Sequence, residues 1–275
     1  MGRSVSSPTF RVGLGGFGAI GGALARRLDQ GLPGLRLVAV SARDVARAEA
    51  RVAALTTPVP VVPLVELADL ADVIVECAPA AVFRAVAEPA VEAGRVLMPV
   101  SVGQLLEHPD LALMAERSHA RIIVPTGALL GLDAVRAAAE GEITAVTMIT
   151  RKPPKGLAGA PYLEERGIDL DGLVEPLKVF EGSARDGARG FPANVNVAAA
   201  LSLAGIGPDR TRLEIWADPH VTRNTHRILI EADSARFEMQ IENVPTEENP
   251  RTGRITALSV IAALRRLTAT FVVGS

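Results

Sequence analysis

One short stretch constrains this chain more than any other. Residues 10–22 read Phe-Arg-Val-Gly-Leu-Gly-Gly-Phe-Gly-Ala-Ile-Gly-Gly, a brief apolar strand running into a glycine-rich turn. The helical pattern Ala23-Leu-Ala-Arg-Arg-Leu28 follows at once. Strand, glycine turn and helix in that order form a cradle for a dinucleotide pyrophosphate. In the frame Gly16-x-Gly18-x-x-Gly21, Gly16 permits the tight turn. Gly18 keeps a Cβ away from the phosphates, and Gly21 lets the helix pack close to the strand. Phe17, Ala19 and Ile20 complete the cradle, and the helix N-terminus offers free N–H groups and a positive dipole end. The glycines also fit a frame at Gly13, Gly15 and Gly18. The later frame is preferred because it leaves Val12 and Leu14 as strand positions and turns Ile20 inward. In a chain with 25 glycines the spacing alone is weak, and the context carries the reading. The competing explanation is a βα turn that the glycines merely tighten.

Downstream, strand and helix patterns alternate. Strands are expected at 35–40, 72–76, 95–100 and 121–125, with helices at 45–55, 79–92 and 111–119 between them. Apolar runs separated by helices indicate a parallel sheet covered on both faces. After about residue 140 the pattern changes. Strands are expected at 143–150, 212–216, 226–231 and 236–242, with a helix at 194–203. The last two strands read as a hairpin in which Phe237, Met239 and Ile241 share one face and Glu238, Gln240 and Glu242 the other. Residues 156–172 and 244–253 read as long loops, and 255–268 as an amphipathic helix that packs back on the first domain. The expected fold is α/β: a Rossmann-type doubly wound parallel sheet plus a smaller α+β domain with a mixed or antiparallel sheet. The division expected is 1–125 with 253–275, and 126–252.

Composition narrows the partners. A net charge of −2 argues against nucleic acid or an anionic membrane surface. No apolar run reaches the length of a membrane span. The opening residues 1–8 lack the apolar stretch of a secretion signal, and Cys77 is the only cysteine, so a cytoplasmic location is expected.

The end of the second strand is where a dinucleotide's ribose is read. Here it runs Val40-Ser-Ala-Arg-Asp44, with Ser41 and Arg43 at the tip and no acidic residue until Asp44. Arg43 could accept a 2′-phosphate, which points to NADP; alternatively it is a solvated loop residue and Asp44 caps the next helix. Ala78 and Ser101 follow later strands, at the edge where a cofactor should lie. Among four histidines, His108 reads as plain surface and His119 as a helix-ending cation. His226 opens a strand in phase with Ile228 and Ile230, which places it at the rim of a face. It is either a structural residue or the proton-transfer group, one that titrates near neutral pH. No metal-binding spacing and no serine nucleophile motif is present, and Cys77 reads as packing.

Further motifs follow in order: Val75-Glu-Cys-Ala78, Ser101-Val-Gly103, Thr126-Gly-Ala-Leu-Leu-Gly131, Thr150-Arg-Lys-Pro153 and Phe180-Glu-Gly-Ser-Ala-Arg-Asp186. Phe191-Pro-Ala-Asn-Val-Asn-Val-Ala-Ala199, Asp218-Pro219, Asn224-Thr-His226 and Glu248-Asn-Pro250 complete the series. With the glycine turn they run nearly end to end, and the chain resembles the L-aspartate dehydrogenase family. The resemblance implies a first domain that binds NAD or NADP and a second that holds a small dicarboxylic amino acid and forms a homodimer. It places the catalytic histidine at His226 and further cofactor contacts at Ala128 and Asn196. Alternatively, Ala128 is a tight helix–sheet contact and Asn196 a simple cap.

The activity implied is oxidation of L-aspartate to iminosuccinate, which hydrolyses to oxaloacetate and ammonia or feeds NAD synthesis. Two substrate carboxylates call for cations, and Arg151, Lys152, Lys155 and Arg189 are the expected sources, unless they form a solvated basic loop. Two other readings stand beside this one. The first is an imine or semialdehyde reductase acting on another small carboxylate. The second is a non-catalytic dinucleotide-binding sensor.

Overall fold

The structure, a computed structural model, describes residues 9–192, 195–249 and 252–274. Residues 1–8, Asn194, where a helix was expected to start, and Pro250 of the Glu-Asn-Pro motif lie outside the described residues. The chain divides into two compact units. The first holds residues 9–104, 108–125 and 257–273, and the second holds 105–107 and the described residues of 126–256, with Gly274.

In the first unit the chain runs β1 (Phe10–Gly15), α1 (Ala19–Asp29), β2 (Leu35–Ser41), α2 (Val45–Val52), α3 (Leu67–Leu70) and β3 (Val73–Glu76). It continues through α4 (Phe83–Glu92), β4 (Val96–Pro99), α5 (Gly103–Glu107), α6 (Asp110–Ser118) and β5 (Arg121–Ile122). All five strands are parallel, in the order β2-β1-β3-β4-β5. This is the doubly wound arrangement read from the sequence. The chain leaves β1 toward one side and then crosses to the other, so β1 stands at the switch point where such sheets bind ligands. Every residue of β3 is buried, as a strand covered on both faces must be. Helix α1 presents Leu24, Ala25 and Leu28 to the core at helical spacing.

The second unit follows with α7 (Leu132–Ala139), β6 (Ile143–Lys152), α8 (Pro161–Arg166), β7 (Leu177–Ser183), α9 (Ala184–Gly190) and α10 (Asn196–Ala204). Then come β8 (Thr211–Ala217), β9 (Asn224–Ala232) and β10 (Arg236–Asn243). The sheet order is β10-β9-β6-β8-β7; β6 and β8 run parallel and the other pairs antiparallel. Helix α10 packs against α7, α9 and β8. The last helix, α11 (Arg254–Thr268), contributes Val260 and Leu264 to the first unit's core beside Val12, Leu24 and Val73.

Several local expectations are corrected. The stretch 156–172 is not all loop, because Pro161 at a first helical position starts α8. Only Arg121–Ile122 of the expected 121–125 strand pairs with β4. His119 ends α6, as expected, and takes the left-handed conformation there, φ 59°. His108 is not plain surface: it is half-buried, its ring stacks on Phe83 at 5.9 Å, and Nδ1 lies 3.5 Å from the Arg84 guanidinium.

Candidate active site

The glycine turn has the geometry its frame requires. Gly16 sits at φ +121°, and a Cβ there would meet the Cys77 carbonyl oxygen at 2.4 Å. A Cβ on Gly21 would stand 2.1 Å from the Gly16 oxygen. Gly18, which precedes α1, is different: a Cβ there would meet nothing within 4 Å. Among the described residues there is open space at this position, at the N-terminal end of α1. Gly13 and Gly15 lie within β1 against Ala71, Leu67 and Val86, which excludes the earlier frame as the turn. The ring of Phe17 is covered by the Arg51 guanidinium at 4.4 Å, and Arg51 also donates to the Phe17 carbonyl. Ala19 and Ile20 open α1.

The neighbouring strand ends meet this turn in register. Gly15 pairs with Ser41 of β2 and with Glu76 of β3. Ser41 is buried, and its carbonyl accepts from the Gly16 N–H at 3.1 Å. Arg43 is exposed. Asp44 caps α2, accepting from the Arg47 N–H at 3.0 Å, so the late acidic residue has a structural role.

Glu76 was not singled out from the sequence, although an acidic residue ending an apolar strand was the available signal. It is fully buried. Its carboxylate accepts from the Ala78 N–H at 3.0 Å and from both the N–H and the hydroxyl of Ser101 at 3.0 Å. The two loops after β3 and β4 are therefore tied together beside the glycine turn. Burial pushes the Glu76 carboxyl up, against these hydrogen bonds. Cys77 lies with Sγ 3.2 Å from the Gly16 oxygen, and burial pushes its thiol up, which fits packing rather than reactivity.

In the second unit one sheet face changes character along its length. Val146 and Met148 of β6 and Ile228 and Ile230 of β9 are buried and apolar. Two residues further along each strand the same face carries Thr150 and His226, which are cross-strand partners. His226 Nδ1 and Thr150 Oγ1 are 3.1 Å apart, and the two residues are 2 % and 3 % exposed. The expectation of a rim histidine that titrates near neutrality is corrected: burial, aided by the Lys152 charge, lowers its pKa to about 3. The ring is thus a neutral imidazole at physiological pH. For Nε2 to accept a proton, Nδ1 must carry the hydrogen, and Thr150 Oγ1 is then its acceptor.

The expected cations separate. Arg151 alternates to the opposite face, where it pairs with Asp218 at 3.1 Å and covers Trp216 at 4.7 Å. Lys155 and Arg189 are exposed. Lys152 is 5 % exposed and shares the His226 face. Ala128 is half-buried in the turn before α7, and its carbonyl accepts from Asn243 Nδ2 at 3.0 Å. Gly127 takes φ +68° there, as such a tight turn requires. Asn196 is the first residue of α10, and Val195 holds the cap position. Among the described residues no group of three or more histidine, cysteine and acidic side chains could hold a metal ion. No helix of the described residues is long and apolar enough to cross a membrane.

A parallel sheet with a glycine cradle at its switch point, joined to a second sheet that buries a hydrogen-bonded histidine, defines an NAD(P)-binding oxidoreductase of the two-domain kind. Comparisons with known proteins agree. Residues 16–125 match the family model described as homoserine dehydrogenase, NAD binding domain, and residues 133–267 match that described as aspartate dehydrogenase, C-terminal. An L-aspartate dehydrogenase of Bradyrhizobium diazoefficiens is 56% identical over 98% of this chain and 96% of its own. L-aspartate dehydrogenase 3 of Bordetella bronchiseptica is 58% identical over 96% of this chain and 97% of its own. The crystal structure of an aspartate dehydrogenase from Thermotoga maritima shares the fold, with TM-score 0.71 at 24% identity, covering 96% of this chain and 99% of that one. The chain belongs to the L-aspartate dehydrogenase family.

Proposed function

We propose that this protein oxidises L-aspartate to iminosuccinate, with the cofactor held at the Gly16–Gly21 turn and His226 as the general base. When bound, the nicotinamide supplies the acceptor for the hydride that leaves Cα. The protein's own part is to hold the diacid, to take a proton and to keep water from the reacting Cα until the hydride has gone. His226 Nε2 takes that proton, either from the substrate amine or from the water that later attacks the imine to give oxaloacetate and ammonia. A base positioned in this way contributes a factor of about 10² to 10⁴. Thr150 orients the ring through Nδ1. Ser41, Arg43 and Ala78 on the first unit, and Ala128 and Asn196 on the second, are proposed as further cofactor contacts. Exposed Arg43 at the end of β2 supports use of NADP as well as NAD.

The observation that carries the reading is the buried His226–Thr150 pair at the point where an apolar sheet face turns polar. The family resemblance further supports a homodimer, a cytoplasmic location and delivery of iminosuccinate to pyridine nucleotide synthesis. The test is His226→Ala with a panel of amino acids and both cofactors. Turnover of L-aspartate should fall at least a hundredfold with NADH affinity kept. Near wild-type turnover in a folded variant removes the assigned base, and faster turnover of another amino acid removes the assigned substrate.

A further inference from the structure

We propose that Lys152 is the residue that anchors a substrate carboxylate beside His226. The inference rests on the function proposed above and deepens it by naming a contact of the substrate. Four cations were available from the sequence, and the strand alternation of β6 sorts them. Even-numbered residues Val146, Met148, Thr150 and Lys152 are buried on one face, while Arg151 turns to the other and is engaged by Asp218 and Trp216. Lys155 and Arg189 are exposed. Lys152 is therefore the cation that the backbone aims toward the same side as the proton acceptor.

Its neighbours on that face support the assignment. Thr150 pairs across to His226, and on the far side of β9 Asn224 pairs with Asn243, so the polar residues gather at one end of the sheet. A dicarboxylic amino acid needs a cation for a carboxylate and a base near its amine, and this end offers both on adjacent strands. Lys152 is 5 % exposed, at this polar end of the sheet. Its charge also bears on the base. Lys152 repels a proton from His226, adding to the effect of burial. A carboxylate seated on the ammonium offsets that repulsion, so the imidazole becomes a better proton acceptor when substrate is in place.

The experiment uses succinate, a diacid with no amine to oxidise, and the full chain with NADH present. The chain has three lysines, at 152, 155 and 178, so ¹³Cε resonances of labelled lysine resolve the site directly. Lys155→Arg and Lys178→Arg assign the spectrum. Succinate should shift the Lys152 resonance and leave the other two in place. In Lys152→Met, calorimetry should show succinate binding weakened at least tenfold and the KM for L-aspartate raised at least tenfold. NADH affinity and melting temperature should stay unchanged, and Lys152→Arg should recover part of the loss. If the methionine variant does not fold, the resonance shift in the unaltered protein decides. An unmoved Lys152 resonance at saturating succinate overturns the proposal, as does wild-type succinate affinity in a folded Lys152→Met. Either result leaves the His226→Ala outcome standing by itself, so failure here is separable from failure of the proposed base.

Discussion

Burial of His226 has a measurable consequence for stability. In the unfolded chain an imidazole takes up a proton near pH 6.5. In the folded protein burial and the Lys152 charge hold that event down to about 3. Between those pH values the unfolded chain binds a proton that the fold refuses, so acid favours unfolding. The contribution is fully present above about pH 6.5 and is lost progressively as pH falls toward 3. The slope is at most about 1.4 kcal/mol per pH unit, so going from pH 7.5 to 4.5 costs about 3 kcal/mol from this one group. A comparison with His226→Gln cancels whatever the remaining groups of the protein contribute over this interval. Glutamine carries no charge at either pH and can still hydrogen-bond to Thr150. The assay is urea unfolding followed by the fluorescence of Trp216, the only tryptophan, which lies on β8 of the same sheet as His226. Wild type should lose about 3 kcal/mol more than the variant between the two pH values. Equal losses in the two proteins would refute the claim that the ring is held neutral.

The glycine turn separates binding from folding. Gly18→Ala places a methyl group where no atom of the described residues lies within 4 Å, so the melting temperature should hold while NADH affinity falls at least tenfold; unchanged affinity removes the phosphate role proposed for this position. Gly21→Ala forces a Cβ to 2.1 Å from the Gly16 oxygen, and about 1–3 kcal/mol of stability should be lost together with cofactor binding, as read by thermal unfolding. Arg43→Ala should raise the KM for NADP about tenfold and leave that for NAD alone, an effect that fades at high salt; equal changes for both cofactors exclude contact with a 2′-phosphate.

The parts of the site that are local in sequence were legible. The glycine turn spans a handful of residues, and its tight conformation at Gly16 is set by backbone freedom that only glycine has. The alternation of β10 likewise showed which of its residues share a face. Patterns of this range fail where the deciding neighbour is far away. His108 looked like a turn residue because its partner, Phe83, lies on another helix. Thr150 and His226 are 76 positions apart, and no spacing rule connects them. Glu76 passed unremarked because a carboxylate at a strand end becomes meaningful only once Ser101 of the next loop is known to donate to it.

By itself, then, the order of residues determined the class of fold, the position of the glycine turn between β1 and α1 and the family, since these depend on local periodicity and contiguous motifs. Tertiary structure decided the rest of the site. Pairing of β6 with β9 chose Thr150 as the partner of His226, and the pleat of β6 put Lys152, not Arg151, on the same face as Thr150. Burial then made the imidazole neutral. The reason is physical: the free energy of a charge depends on what surrounds it in space, and that is known only after distant strands have come together.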